Sequence, residues 1–298
     1  MSNSDPNCRA AACAAVNWVI HPSEKDLGDF SVRRVLPSAK VPMIGPWIFF
    51  DHMGPAEFEA GNGVNVRPHP HINLATVTYL FKGEILHRDS LGHKQSIKPG
   101  DINLMVAGRG ITHSERETPE VNSVRHRLHG LQLWLALPKE DEETEPAFYH
   151  YASESIPALE IEGVPVRVMM GSAYGETSPV KSFAKTLYLE AELKTGQSLT
   201  LPDCEELGVY LACGQADIDG SHIHEHEMAI LSDKPSLSLL AIEDCRIVII
   251  GGEPLGRRHI FWNFVSSSKE RIEQAKEDWL AGRFAKVVDD EDEFIPLP

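Results

Sequence analysis

Two prolines interleaved with two histidines, Pro68-His69-Pro70-His71, constrain this chain more than any other stretch. Each proline holds its own φ near −65° and pushes the residue before it into extended backbone. Arg67 and His69 are therefore biased toward strand geometry before any packing occurs. On a strand, residues i and i+2 share a face, about 7 Å apart along the chain. His69 and His71 share one face, and the prolines take the other. Because prolines lack N–H donors, this stretch belongs at a sheet edge or beside a bulge. The run from Leu74 to Phe81 is rich in β-branched and aromatic residues and reads as a buried strand ending at Lys82-Gly83.

A second pair, His113-Ser114-Glu115, follows about forty residues later. Pro99-Gly100-Asp101 reads as a turn, Ile102 to Ala107 as a strand, and Gly108-Arg109-Gly110 as a tight bend whose glycines permit unusual backbone angles. On the strand beyond, His113 and Glu115 share one face. Two such strands facing each other aim three imidazoles and one carboxylate at a common point. That donor set suits a mononuclear transition metal with coordination positions left for water or substrate.

Size and charge narrow the alternatives. At 298 residues the chain is long enough for two modest domains. A formal net charge of −16 with no run of Lys or Arg argues against direct nucleic-acid binding. No apolar stretch approaches the length of a membrane span. Met1 to Val16 has only Arg9 as a basic residue and no charged region followed by an apolar core, so it does not read as a secretory signal. The five cysteines, Cys8, Cys13, Cys204, Cys213 and Cys245, are odd in number and include no Cys-x-x-Cys. Reduced thiols in a cytoplasmic protein fit this better than a disulfide scaffold.

Short strand-like runs separated by Gly, Pro, Asn and Asp fill the chain from Phe30 to Ile250, as expected of an all-β protein. Lys139 to Glu145 reads as a solvated acidic connector. A domain boundary just beyond it gives residues 1–150, with a short N-terminal extension, and residues 151–298. Asp219-Gly220 signals a hairpin turn. Ser268 to Leu280 reads as a helix with a Ser N-cap, with Ile272, Ala275, Trp279 and Leu280 on one side and Gly282 at its end. The tail Asp289 to Glu293 is expected to be loose.

Several segments resemble the pirin family of the cupin superfamily. They are Pro68-His69-Pro70-His71, Thr76-Val77-Thr78-Tyr79-Leu80, His87-Arg88-Asp89-Ser90-Leu91-Gly92-His93, Pro99-Gly100-Asp101, and Ala107-Gly108-Arg109-Gly110-Ile111-Thr112-His113-Ser114-Glu115. Leu128-His129-Gly130-Leu131-Gln132-Leu133-Trp134 and Gly251-Gly252-Glu253-Pro254-Leu255 complete the set, and the resemblance runs from about Val32 to about Phe284. It implies an all-β bicupin: two jelly-roll-type β-barrel domains, the N-terminal one metal-binding, the C-terminal one without metal and ending in a helix and acidic tail. It implies one metal held by His69, His71, His113 and Glu115. The wider cupin pattern places a Glu four residues after the second His, a position occupied here by Ala75, which cannot ligate. Many pirins carry Arg-Gly-Phe where this chain has Ile72-Asn73-Leu74, which alters the pocket wall.

The resemblance also implies a chemistry. Iron(II) suits three imidazoles and a carboxylate best, with nickel, copper, manganese and zinc as alternatives. Some pirins resemble quercetin 2,3-dioxygenases, which open a flavonol ring with O₂ and release carbon monoxide. The expected substrate is then a flavonol-like aromatic, with Glu115 as the catalytic base for its 3-hydroxyl proton. Gln132 is a candidate to orient the imidazoles. The alternative function is a metal- and redox-dependent protein partner of a transcription regulator or metabolic enzyme. A second histidine run, His222, His224 and His226, is richer in ligands, but one strand spaces three rings too widely to enclose one ion. It reads as an exposed edge.

Overall fold

The computed structural model describes residues 7–11, 14–26, 28 and 30–298; Cys13 and the first six residues of the stretch tested for a signal lie outside them. Two compact units divide the chain: one comprises Asp26–Val32, Met53–Ser153 and Leu255–Pro298, the other Met1–Lys25, Arg33–His52 and Glu154–Pro254. The contiguous division at residue 150 is thus crossed by the chain. N-terminal segments join the second half, and the C-terminal helix and tail join the first. Strand pairing and core packing define a unit, and both reach across long sequence separations. Val16–Ile20 pairs with Met228–Leu231, and Ile72 packs with Phe264, Ile272 and Ala275.

The unit carrying the proline–histidine stretch contains β1 (Val66–His71), β2 (Leu74–Lys82), β3 (Ile85–Asp89), β4 (Lys94–Ile97), β5 (Ile102–Val106), β6 (Ile111–Arg116), β7 (His126–Ala136) and β8 (Ala147–Tyr151). These form two antiparallel groups, ordered β1-β6-β3-β4 and β8-β5-β2-β7, the paired-sheet arrangement of a jelly roll. Leu80 from β2 packs with Ile85, Ile97 and Leu128 and closes one end of the interior between them. As the prolines require, β1 is an edge strand, and it carries an irregularity, one extra residue between Val66 and His69 opposite Glu115 and His113 of β6.

Three local expectations change. The acidic tail is docked: Asp290 accepts hydrogen bonds from Ser114 Oγ (2.7 Å) and from Arg116 Nε (2.7 Å) and Nη2 (2.8 Å), and Ile295 N–H donates to the Pro68 carbonyl (2.9 Å). Alternation explains the contact, because Ser114 and Arg116 point outward between the inward His113 and Glu115. The tail thereby also covers the edge strand. Within the acidic connector, Glu142 is buried and pairs with Arg258 (2.9 Å) and with Ser267 (2.9 Å). The helix Lys269–Leu280 starts at its Ser268 cap as expected, and Ile272 and Ala275 are buried, but Leu280 is 72 % exposed.

The other unit repeats the two-sheet plan. A larger sheet includes Val164–Met170, Thr186–Leu193, Glu206–Cys213, Met228–Leu231 and Cys245–Gly252, and a smaller one includes Ala216–Ile218 and Ser221–Ile223. Asp219 and Gly220, both at positive φ, form the two-residue turn between the last two strands. Of the histidine run, only His222 lies on that strand; the chain turns after Ile223, and His226 adopts φ +66°. No helix among the described residues is long and apolar enough to cross a membrane.

Candidate metal centre

The structure brings His69, His71 and His113 together. One ring nitrogen from each lies within 4.8 Å of the others, and among the described residues no other cluster of metal-ligating side chains does this. β1 and β6 are antiparallel neighbours with His69 opposite His113 and His71 opposite Ile111, so all three rings project from one sheet face. Ring centroids are 4.4 Å apart for His69–His113 and 5.0 Å for the other two pairs.

Hydrogen bonds on the far side of each ring choose which nitrogen faces inward. His69 Nδ1 donates to the Arg67 carbonyl (2.9 Å) and His71 Nδ1 to the Asn263 carbonyl (3.2 Å). A neutral imidazole that donates at Nδ1 keeps its lone pair at Nε2. His113 Nδ1 meets His87 Nδ1 at 3.5 Å, and His87 Nε2 lies 3.2 Å from Asp89 Oδ2. Ionised Asp89 can only accept, so His87 carries its proton on Nε2 and presents a lone pair at Nδ1. His113 must then donate at Nδ1, and its buried Nε2 has no hydrogen-bond partner. An orphaned buried nitrogen beside two other inward Nε2 atoms is what a metal site requires.

Electrostatics agree. Burial first, then neighbouring imidazoles, push the His113 pKa well below its ordinary value. Burial pushes His69 down to about 4 and also lowers His71. The triad is neutral at pH 7, so a cation would displace no proton from it. For Asp89, burial opposes ionisation, but hydrogen bonds from His87 and His93 outweigh it and hold the carboxyl below its ordinary value.

Glu115 stands apart from this cluster. Its carboxylate does not come within the same 4.8 Å of all three imidazoles, and the register of β6 against β1 shifts between His113 and Glu115. The extra residue lies on β1, where Val66 rather than Arg67 stands opposite Glu115; β6 itself keeps regular register with β3. Glu115 pairs in register with His87 on β3, and burial pushes its pKa up to about 7. Gln132, expected near the imidazoles, instead accepts a hydrogen bond from Thr78 (2.9 Å). The ring against His71 is Trp134 (5.0 Å, edge-on), and Phe148 stacks on His87 at 4.3 Å. His87 and Asp89 form a third i, i+2 pair on a strand, a signal of the same kind as the two pairs already read. Asn263 left no such signal.

A family model described as Pirin matches residues 29–135, and one described as the Pirin C-terminal cupin domain matches residues 188–285. A pirin-like protein of Caulobacter vibrioides is 45% identical over 95% of this chain and 99% of its own length. A Pseudomonas aeruginosa protein provisionally named quercetin 2,3-dioxygenase is 39% identical over 87% of this chain and 82% of its own length. The crystal structure of a quercetin 2,3-dioxygenase from Acinetobacter baumannii superposes with a TM-score of 0.87 at 32% identity, covering 94% of each chain.

Proposed function

Because the chain belongs to the pirin family, with both of its cupin domains, we propose that it is a mononuclear metal oxygenase of the flavonol 2,3-dioxygenase type. The observation that carries this reading is the convergence of three neutral, buried imidazoles, each tied at Nδ1 and one orphaned at Nε2. His69, His71 and His113 would hold a divalent transition metal, with iron(II) the best match to the donor set, and Glu115 would supply the fourth donor or stand beside it as base. When bound, such a cation supplies the Lewis acidity and electron exchange with O₂ that cleavage of an aromatic ring needs.

The protein's own groups account for the remaining requirements. Burial raises the Glu115 pKa in the metal-free protein, and a bound cation would favour the carboxylate form that accepts the 3-hydroxyl proton of a flavonol. Trp134, Met105 and Phe148 lie on the face that meets the imidazoles and offer apolar walls to a flat aromatic ring. In the overall reaction both atoms of O₂ enter the product and one ring carbon leaves as carbon monoxide.

The test is anaerobic loading with iron(II), addition of quercetin and then O₂, and measurement of flavonol absorbance and carbon monoxide. Loss of the absorbance with stoichiometric carbon monoxide is expected. No turnover with iron, nickel, copper or manganese would overturn the reading.

A further inference from the structure

Strand register places a polar row beside the metal-facing row. Phe148, Met105, Thr76 and Trp134 are directly opposed across β8, β5, β2 and β7, and this row meets His71 through Trp134 and the neighbouring His87 through Phe148. Two residues along each strand, on the same face, stand His150, Asn103, Thr78 and Gln132. Strand geometry separates the two rows by roughly 7 Å. Beyond them, Leu80 packs into the apolar end with Ile85 and Ile97. The polar layer thus lies between the histidine-facing row and an apolar end, and for its buried members, Asn103 and Thr78, desolvation makes an unmet hydrogen bond costly.

The row meets only half of its own demand. His150 Nδ1 donates to Asn103 Oδ1 (2.8 Å), and Thr78 Oγ1 donates to Gln132 Oε1 (2.9 Å). Both amide oxygens are engaged, which leaves both amide NH₂ groups. Asn103 is 3 % exposed and its Nδ2 has no partner at all. Gln132 remains half-buried, with its NH₂ group as the donor left over. Two internal pairs therefore leave the row with amide donors that its own acceptors do not meet, the Asn103 one buried.

We propose that Asn103 and Gln132 form a recognition subsite for the oxygen substituents of an aromatic ligand whose other end lies against the imidazoles. The subsite rewards hydroxyl or carbonyl oxygens remote from the reacting one. It discriminates against a bare aromatic ring, which would bury the Asn103 amide with no acceptor. The choice of a flavonoid probe rests on the function proposed above; the donor row itself rests on hydrogen-bond geometry.

The experiment compares quercetin with 3-hydroxyflavone, which has the same reacting hydroxyl and no remote ones. Binding to iron(II)-loaded protein is measured under nitrogen by tryptophan fluorescence, for wild type, Asn103→Leu and Gln132→Met. Both variants should weaken quercetin about tenfold, the size of one lost buried hydrogen bond, and leave 3-hydroxyflavone within about twofold. Gln132→Met gives the same reading if Asn103→Leu fails to fold. Equal loss for both ligands, no loss for quercetin, or a wild type that binds neither flavone or both equally well would each overturn the subsite. Turnover is measured on the same samples after O₂ is added. Selective binding without turnover refutes the oxygenase reading and leaves the subsite standing.

Discussion

His87→Phe should weaken metal binding without disturbing the fold. Phenylalanine keeps a ring stacked on Phe148, now 4.3 Å from His87, and removes the acceptor behind His113 Nδ1. His113 is buried, so its N–H would lose its partner where water cannot replace it. An unmet buried donor costs about 1–3 kcal/mol, and the 3.5 Å separation puts this bond at the weaker end. His113 can escape the cost by moving its proton to Nε2, but that blocks the nitrogen needed for ligation. That shift is open only to the metal-free protein, and binding must reverse it, so affinity falls by roughly 5- to 30-fold, within the about 10- to 100-fold range for losing a group that orients a ligand. Competition against a chromophoric chelator at pH 7.5, with nickel(II) and zinc(II), reads the dissociation constant, and circular dichroism checks the fold. A folded variant whose affinity stays within twofold of wild type would refute the relay from Asp89 through His87 to His113.

Three further outcomes are expected. Protein without added metal should lose stability as pH falls from 6.5 toward 4, because His69 binds a proton less readily folded than unfolded; the total for His69 is about 3 kcal/mol, read as the denaturant midpoint against pH. Glu115 has the opposite sign: its folded pKa of about 7 is raised, so its contribution is present below about pH 4.5 and lost as pH rises through 7. Glu115→Gln should abolish that loss while lowering flavonol turnover on the order of a hundredfold, and undiminished turnover would remove the base role. Asp290→Ala should free the tail from Ser114 and Arg116 and speed tryptic cleavage after Lys286 several-fold, with metal affinity falling as β6 loosens; unchanged cleavage would show that the tail is held elsewhere.

The sequence alone singled out three histidines that the fold brings into one cluster. Prolines at 68 and 70 and period-two alternation are local constraints, and they put His69 and His71 on one face of β1 before any pairing; pairing with β6 then brings His113 opposite His69. Family motifs carried the two-domain plan. Even the departure at Asn73 is locally legible: this residue takes φ +56°, a conformation Asn tolerates nearly as Gly does, and its side chain is tied to the Glu142 carbonyl (2.5 Å). Only the tertiary structure decided what surrounds those histidines. The carbonyl behind His71 comes from Asn263, 192 residues away, and Asp290 is drawn to Arg116 from 174 away. The place of Glu115 beside His87 depends on the register of β6 with β3, and the donor row on four strands lying in one register. Alternation tells which face a side chain takes. What it meets on that face is set by strand pairing, whose long-range register depends on packing across the whole sheet.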